Sequence, residues 1–235
     1  MWSRALCAAI ACGCYNPSPL EGLACSETDR CPGGQSCDAV FHQCVSSPLC
    51  RPPPIADAFD SKLPPCQTWG AQFGRAQVEL QDGMLAITPL GDGQNSGGCQ
   101  SSDPIAFEGD GIFVEVPQVL PPGHGFVLLS AQGGSNAPTL GVEDDRLTLR
   151  IPARSIASAP YDPVAMRWWR LRPDRAAGAT IAEYAADGVH WKQLGIVDLE
   201  PEPQINIQLI VGIDTVDPRP ATAHLDRLDV CPMQR

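Results

Sequence analysis

The sequence predicts an all-β fold, an antiparallel β-sandwich, and three observations predict it. Short runs alternate apolar and polar residues, 22 glycines and 24 prolines fall largely between those runs, and no stretch shows a three-turn helical pattern. A period of two puts every second side chain on one sheet face. Many short strands joined by turn residues bury such faces by packing sheet on sheet.

The N-terminus stands apart from this pattern. Residues 1–13 carry a basic group, Arg4, followed by ALCAAIACG, a short apolar run ending in small residues. That is the layout of a secretory signal, and it is shorter than the ~20 apolar residues that span a bilayer. Bacterial lipoprotein signals are similar to it: a short apolar run, small residues, then the cysteine that becomes lipidated. Cys12 and Cys14 both compete for that role, and neither has leucine three residues before it. Parity selects Cys14, because Cys25, Cys31, Cys37, Cys44, Cys50, Cys66, Cys99 and Cys231 follow it and can all pair. An anchor at Cys12 leaves one cysteine over in an oxidising compartment. No further ligands sit at spacings that would make Cys12 and Cys14 a metal site.

Residues 14–45 read as a cysteine-rich module. Five, five and six residues separate Cys25, Cys31, Cys37 and Cys44, and large apolar residues are few, so disulfides must replace a core. Zinc favours closer cysteine pairs, which are absent, and no metal is expected. Four cysteines permit three pairings and the spacing selects none; Cys25–Cys37 with Cys31–Cys44 is taken as the expectation. The segment resembles the short C…CPxGxxC…C modules that follow the anchor in secreted bacterial proteins. Residues 46–58 read as a linker, whose three consecutive prolines favour an extended, semi-rigid spacer.

Residues 59–235 carry the sandwich. Strands are expected at 77–81, 84–88, 111–116, 125–131, 139–143, 146–151, 166–172, 179–184, 189–194, 205–213 and 223–230. Ile205, Ile207, Leu209, Val211 and Ile213 share one face; so do Leu147, Leu149 and Ile151, with Thr148 and Arg150 opposite; so do Ile112, Val114 and Val116. In 166–172, Trp169 and Leu171 make the apolar face, Trp168, Arg170 and Arg172 point outward, and Arg167 stands near solvent. Asp187-Gly188 suits a two-residue hairpin turn, after which Val189 and Trp191 face the core and His190 and Lys192 face out. Cys50, Cys66, Cys99 and Cys231 staple the sandwich, with Cys66–Cys231 and Cys66–Cys99 both open.

The stretch YDPVAMRWWRLRPDRAAGATIAEYAADGVHWKQLG, residues 161–195, resembles the concanavalin A-like lectin/glucanase jelly rolls, in particular a bacterial group with the signature WxRL…G…S.DG..W. DAFDSKLPPCQTWG (57–70) looks like that group's opening and AHLDRLDV (223–230) like its closing strand. The chain departs from the signature at Ala185-Ala186, where a Ser-Pro-like pair often precedes Asp-Gly. The resemblance implies a jelly roll over residues 57–231. It implies no activity, because this fold hosts lectins, glycan hydrolases and structural domains.

The chemistry of the chain narrows the function further. A formal charge of −11 argues against nucleic acid as a partner. Glycoside hydrolysis needs two carboxylates across a cleft, and the E-x-D-x-x-E or E-x-D-x-E pattern that the resemblance would imply is absent. Glu115 reads as a lone, solvated carboxylate; a second carboxylate near it in a groove would revive hydrolysis. Glu143, Asp144 and Asp145 read as a hairpin tip and not as a calcium site. His42, His124, His190 and His224 have no evident partners, no G-x-S-x-G elbow occurs, and GDGQNSGG (91–98) reads as a loop. Neither an enzyme nor a cofactor is expected.

Trp168 flanked by Arg170 and Arg172 is the candidate ligand site: an exposed indole stacks a sugar ring while guanidiniums bond its hydroxyls or carboxylates. In the opposing reading Trp168 packs under a loop or a sheet edge. The expectation is therefore a secreted protein, lipid-anchored to the bacterial envelope through Cys14, whose non-catalytic sandwich binds a polysaccharide. A structural or protein-interaction lipoprotein with no sugar ligand is one alternative, and a glycan hydrolase with an unrecognised carboxylate pair is the other.

Overall fold

The computed structural model describes residues 22–25, 31–32, 35–38, 43–45, 55–91, 95–134, 137–152, 154–213 and 221–231. The signal, Cys12, Cys14, Cys50 and linker residues 46–54 lie outside them, as does the Cys231 side chain. In the cysteine module, β1 (Leu23–Ala24), β2 (Ser36–Asp38) and β3 (Gln43–Val45) form a sheet in the order β1-β3-β2. Its disulfides are the expected ones, Cys25–Cys37 and Cys31–Cys44. The sulfurs of Cys25, Cys31 and Cys44 lie within 4.8 Å of one another, so the two bridges stack into a covalent core for a module with little apolar mass.

Sixteen further strands follow: β4 (Ile55–Asp57), β5 (Gly70–Gly74), β6 (Ala76–Gln81), β7 (Met84–Pro89), β8 (Asn95–Ser101), β9 (Ile105–Ala106), β10 (Gly111–Gln118), β11 (Phe126–Gln132), β12 (Thr139–Glu143), β13 (Arg146–Ile151), β14 (Arg154–Pro160), β15 (Trp168–Asp174), β16 (Ala179–Ala185), β17 (Lys192–Val197), β18 (Gln204–Ile213) and β19 (Ala223–Cys231). They form two eight-stranded sheets. The first runs β17-β16-β15-β10-β19-β7-β6 with β4 on β19; the second runs β14-β13-β12-β11-β18-β8-β5 with β9 on β18. The described pairings are all antiparallel.

The sheets meet through the faces that alternation marks. Ile112, Val114, Val116, Trp169 and Leu171 of the first sheet pack with Leu147, Leu149, Ile205, Ile207, Leu209 and Val211 of the second. Trp169 is fully buried, donates from Nε1 to the Met166 carbonyl at 2.8 Å, and meets Tyr161 edge-on at 6.3 Å. Burial, with the nearby Asp162 charge, pushes the Tyr161 phenol up to about 12. The opening segment is pinned by Asp57, a buried carboxylate that accepts from Phe59 N at 2.9 Å, Thr68 Oγ1 at 2.5 Å and Trp69 Nε1 at 3.0 Å. Cys66 bonds Cys99, which settles that alternative and ties the same segment to β8.

Four expectations need correction. The stretch 91–98 is not a loop throughout: Asn95–Ser101 is β8, paired on both sides by β18 and β5. Its glycines hid it from a pattern search, yet the packing requires them, since a Cβ on Gly98 would lie 2.0 Å from the Leu209 carbonyl oxygen. β5 and β14 were not expected, because edge strands are half-solvated and alternate weakly. β4 falls within the expected linker, so the sandwich begins at Ile55. Finally, Asp187-Gly188 does not make a two-residue hairpin; β16 and β17 are joined by residues 186–191.

Candidate functional site

Trp168, Arg170 and Arg172 do share the outer face of the first sheet, as alternation along β15 requires, but that face is covered. Trp168 is 7% exposed and Arg170 6%. The expected open indole platform is therefore corrected: Trp168 is packed away. The guanidiniums are occupied as well. Arg170 Nε donates to Glu183 Oε2 at 2.7 Å and Arg172 Nε donates to the same oxygen at 3.3 Å. Trp191 lies over Arg170, with its ring centroid 4.3 Å from the guanidinium carbon, and 6.2 Å from Phe113. Burial pushes the Arg170 pKa below its ordinary value, while the Glu183 and Asp110 carboxylates draw it back up.

The cover arises in loop 186–191. Asp187 Oδ1 accepts from Val189 N at 3.0 Å and His190 N at 2.9 Å, and Oδ2 meets His190 Nδ1 at 2.6 Å. Partial burial works against the Asp187 charge, but these hydrogen bonds hold its carboxyl below the usual range. The turn so closed lengthens the connection and carries Trp191 to the outer face, not to the core as expected. The cysteine module approaches the same loop: a Cβ on Gly22 would lie 3.2 Å from His190 Cε1.

Glu115 is neither lone nor solvated. Its side chain is 13% exposed and bonds Arg167 Nε. Asp226 stands opposite it at a β-bulge, where Arg227 adopts a φ of 50°. Partial burial and the Glu115 charge raise the Asp226 carboxyl above its usual range. This pair lies on the first sheet. A concavity lies on the second. At the β12–β13 hairpin, Asp144 and Asp145 make the two-residue turn, with φ of 49° and 58°. Glu143 accepts from Arg150 Nη1 at 3.0 Å and does not join them as a ligand group.

That concavity is a groove of about 530 Å³ over the outer face of the second sheet. Strand register sets cross-strand rows along this face, and from them Leu128, Ile210, Thr148, Ser130, Thr139 and Arg150 line the groove. One row is apolar or bare: Phe73, Gly98, Ile210, Leu128 and Gly141, continuing to Thr148 and Ser158. The next is polar: Gln100, Gln208, Ser130, Thr139 and Arg150. Gln132 donates to Gln208 Oε1 at 2.7 Å and Gln208 donates to Gln100 Oε1 at 3.2 Å, while the Ser130 and Thr139 hydroxyls lie 3.2 Å apart. Side-chain amides and hydroxyls held this way keep further donors and acceptors for a ligand. Sequence reasoning found Thr148 and Arg150 on the outer side and missed the groove.

No family model and no curated protein matches the chain by sequence. Solved structures do match by shape. The lectin UEA-II, solved in complex with galactose, is 14% identical with a TM-score of 0.51, over 77% of this chain and 100% of that one. A functionally unknown protein from Saccharomyces cerevisiae is 11% identical with a TM-score of 0.52, over 71% of this chain and 98% of its own. At these identities the likeness is one of fold. The described residues from 55 onward form a concanavalin A-like jelly-roll β-sandwich.

Proposed function

We propose that this chain is a secreted, lipid-anchored protein of the bacterial envelope whose sandwich binds a polysaccharide, without catalysis, in the groove of the second sheet. The observation that carries this is that apolar Ile210 and Leu128 line the groove beside polar Ser130, Gln132 and Thr139. A pyranose offers apolar C–H faces and hydroxyl edges, and a floor with one apolar and one hydrogen-bonding stripe meets both. Likeness to a galactose-bound lectin supports the reading at the level of fold.

A glycan array probed with the full chain tests it. Gln132→Ala with Thr139→Val removes a lining amide and a lining hydroxyl and should weaken retained glycans roughly tenfold. Trp168→Phe, on the opposite sheet, should change little. Loss of binding in Trp168→Phe alone would return the site to the first sheet, and no binding by the folded chain would favour protein partners.

Secretion and anchoring rest on the ALCAAIACG run and on cysteine parity; the three described disulfides suit an oxidising compartment. Metabolic labelling with radiolabelled palmitate should mark the wild type and Cys12→Ser but not Cys14→Ser. The reverse result would move the anchor to Cys12.

A further inference from the structure

We infer that the ligand of this groove is anionic, a glycan bearing carboxylate or sulfate groups, and that Arg154 receives the charge. The inference rests on the groove reading and adds the ligand's chemical class. The charged residues lining the groove are Glu143, Arg150 and Arg154. Glu143 and Arg150 pair at 3.0 Å and neutralise one another. That leaves Arg154, exposed on the edge strand β14, with no side-chain hydrogen bond or ion pair among the described residues. Its position is unlike that of the described arginines along the first sheet. Arg167 is held by Glu115, and Arg170 and Arg172 by Glu183. Arg175 is held by the carbonyls of Phe107, Pro201 and Glu202.

A guanidinium left over in a groove that also presents the Gln132 amide is a fork for a planar or tetrahedral anion, bonded through parallel N–H groups. The chain's formal charge of −11 does not oppose this at contact range. Charges beyond about 8 Å are screened at physiological ionic strength, so distant acids slow encounter and leave the local pair intact. A neutral glycan would leave that fork unused.

The test uses the full chain and paired probes: uronate oligosaccharides against their carboxyl-reduced forms, and sulfated oligosaccharides against their desulfated forms. The charged member of at least one pair should bind at least about tenfold more tightly, and that preference should shrink with added salt. The two pairs tell carboxylate from sulfate. Arg154→Gln should erase the preference, and Arg154→Lys should restore part of it. Equal binding of charged and neutral members overturns the inference and leaves the groove as a neutral-sugar site. A charge preference that survives Arg154→Gln overturns the assignment to Arg154. Binding of no glycan at all overturns the groove reading, and this inference with it.

Discussion

Glu183→Ala should lower stability by about 3–5 kcal/mol, the cost of leaving a buried cation without its partner. Glu183 is 8% exposed and its Oε2 accepts from both Arg170 and Arg172, so its loss strands a guanidinium that is itself 6% exposed. For a chain of this size that corresponds to a fall in Tm of roughly 6–20 °C, read by calorimetry. Trp191, which stacks on Arg170, should become more exposed in the same variant. Glu183→Gln, which keeps an acceptor oxygen, should cost less. A paired Arg170→Met, Glu183→Leu variant should recover most of the loss, because an apolar pair removes both desolvated charges. An unchanged Tm in Glu183→Ala would mean that Arg170 is held by Asp110 instead.

Removing the Cys66–Cys99 bond by Cys66→Ala with Cys99→Ala should cost about 4 kcal/mol. The bridge spans 33 residues, and closing a loop of that length withdraws about this much chain entropy from the unfolded state. Both cysteines are buried, at 2% and 0% exposure, so the double variant also loses packed sulfur. Urea denaturation under oxidising conditions reads the effect as a lower midpoint at a higher m-value. A shift below about 1 kcal/mol would show that the unfolded chain keeps this segment in place without the bond.

What could be read from the sequence divides along physical lines. Where apolar and polar residues alternate over a whole strand, the face assignment holds, as for Ile205 to Val211, for Leu147 and Leu149, and for Trp169 with Leu171. Where a short-range hydrogen bond sets the geometry, alternation misleads. Asp187 closes a turn on Val189 and His190, and that turn decides which side Trp191 takes. β8 shows no alternation because its glycines have no side chain to alternate; its place is dictated by β18 and β5. The Arg170–Glu183 bond was within reach, since the antiparallel register of β15 with β16 sets those two directly opposite. Alternation along β15 by itself gives no such partner, which is why it leaves Trp168 and Arg170 open. The groove leaves no local signal in the sequence: Ile210, Ser130, Thr139 and Arg150 come from four strands, and only the sheet's register brings them together.

The most direct test of the account is to map a bound oligosaccharide onto the protein by amide chemical-shift perturbation, using the full chain and the best ligand from the array. The account predicts perturbed amides along β11, β12, β13, β14 and β18, centred on Leu128, Ser130, Thr139 and Ile210, with loop 186–191 and β15 unmoved. Shifts confined to β15 and the 186–191 loop would contradict it.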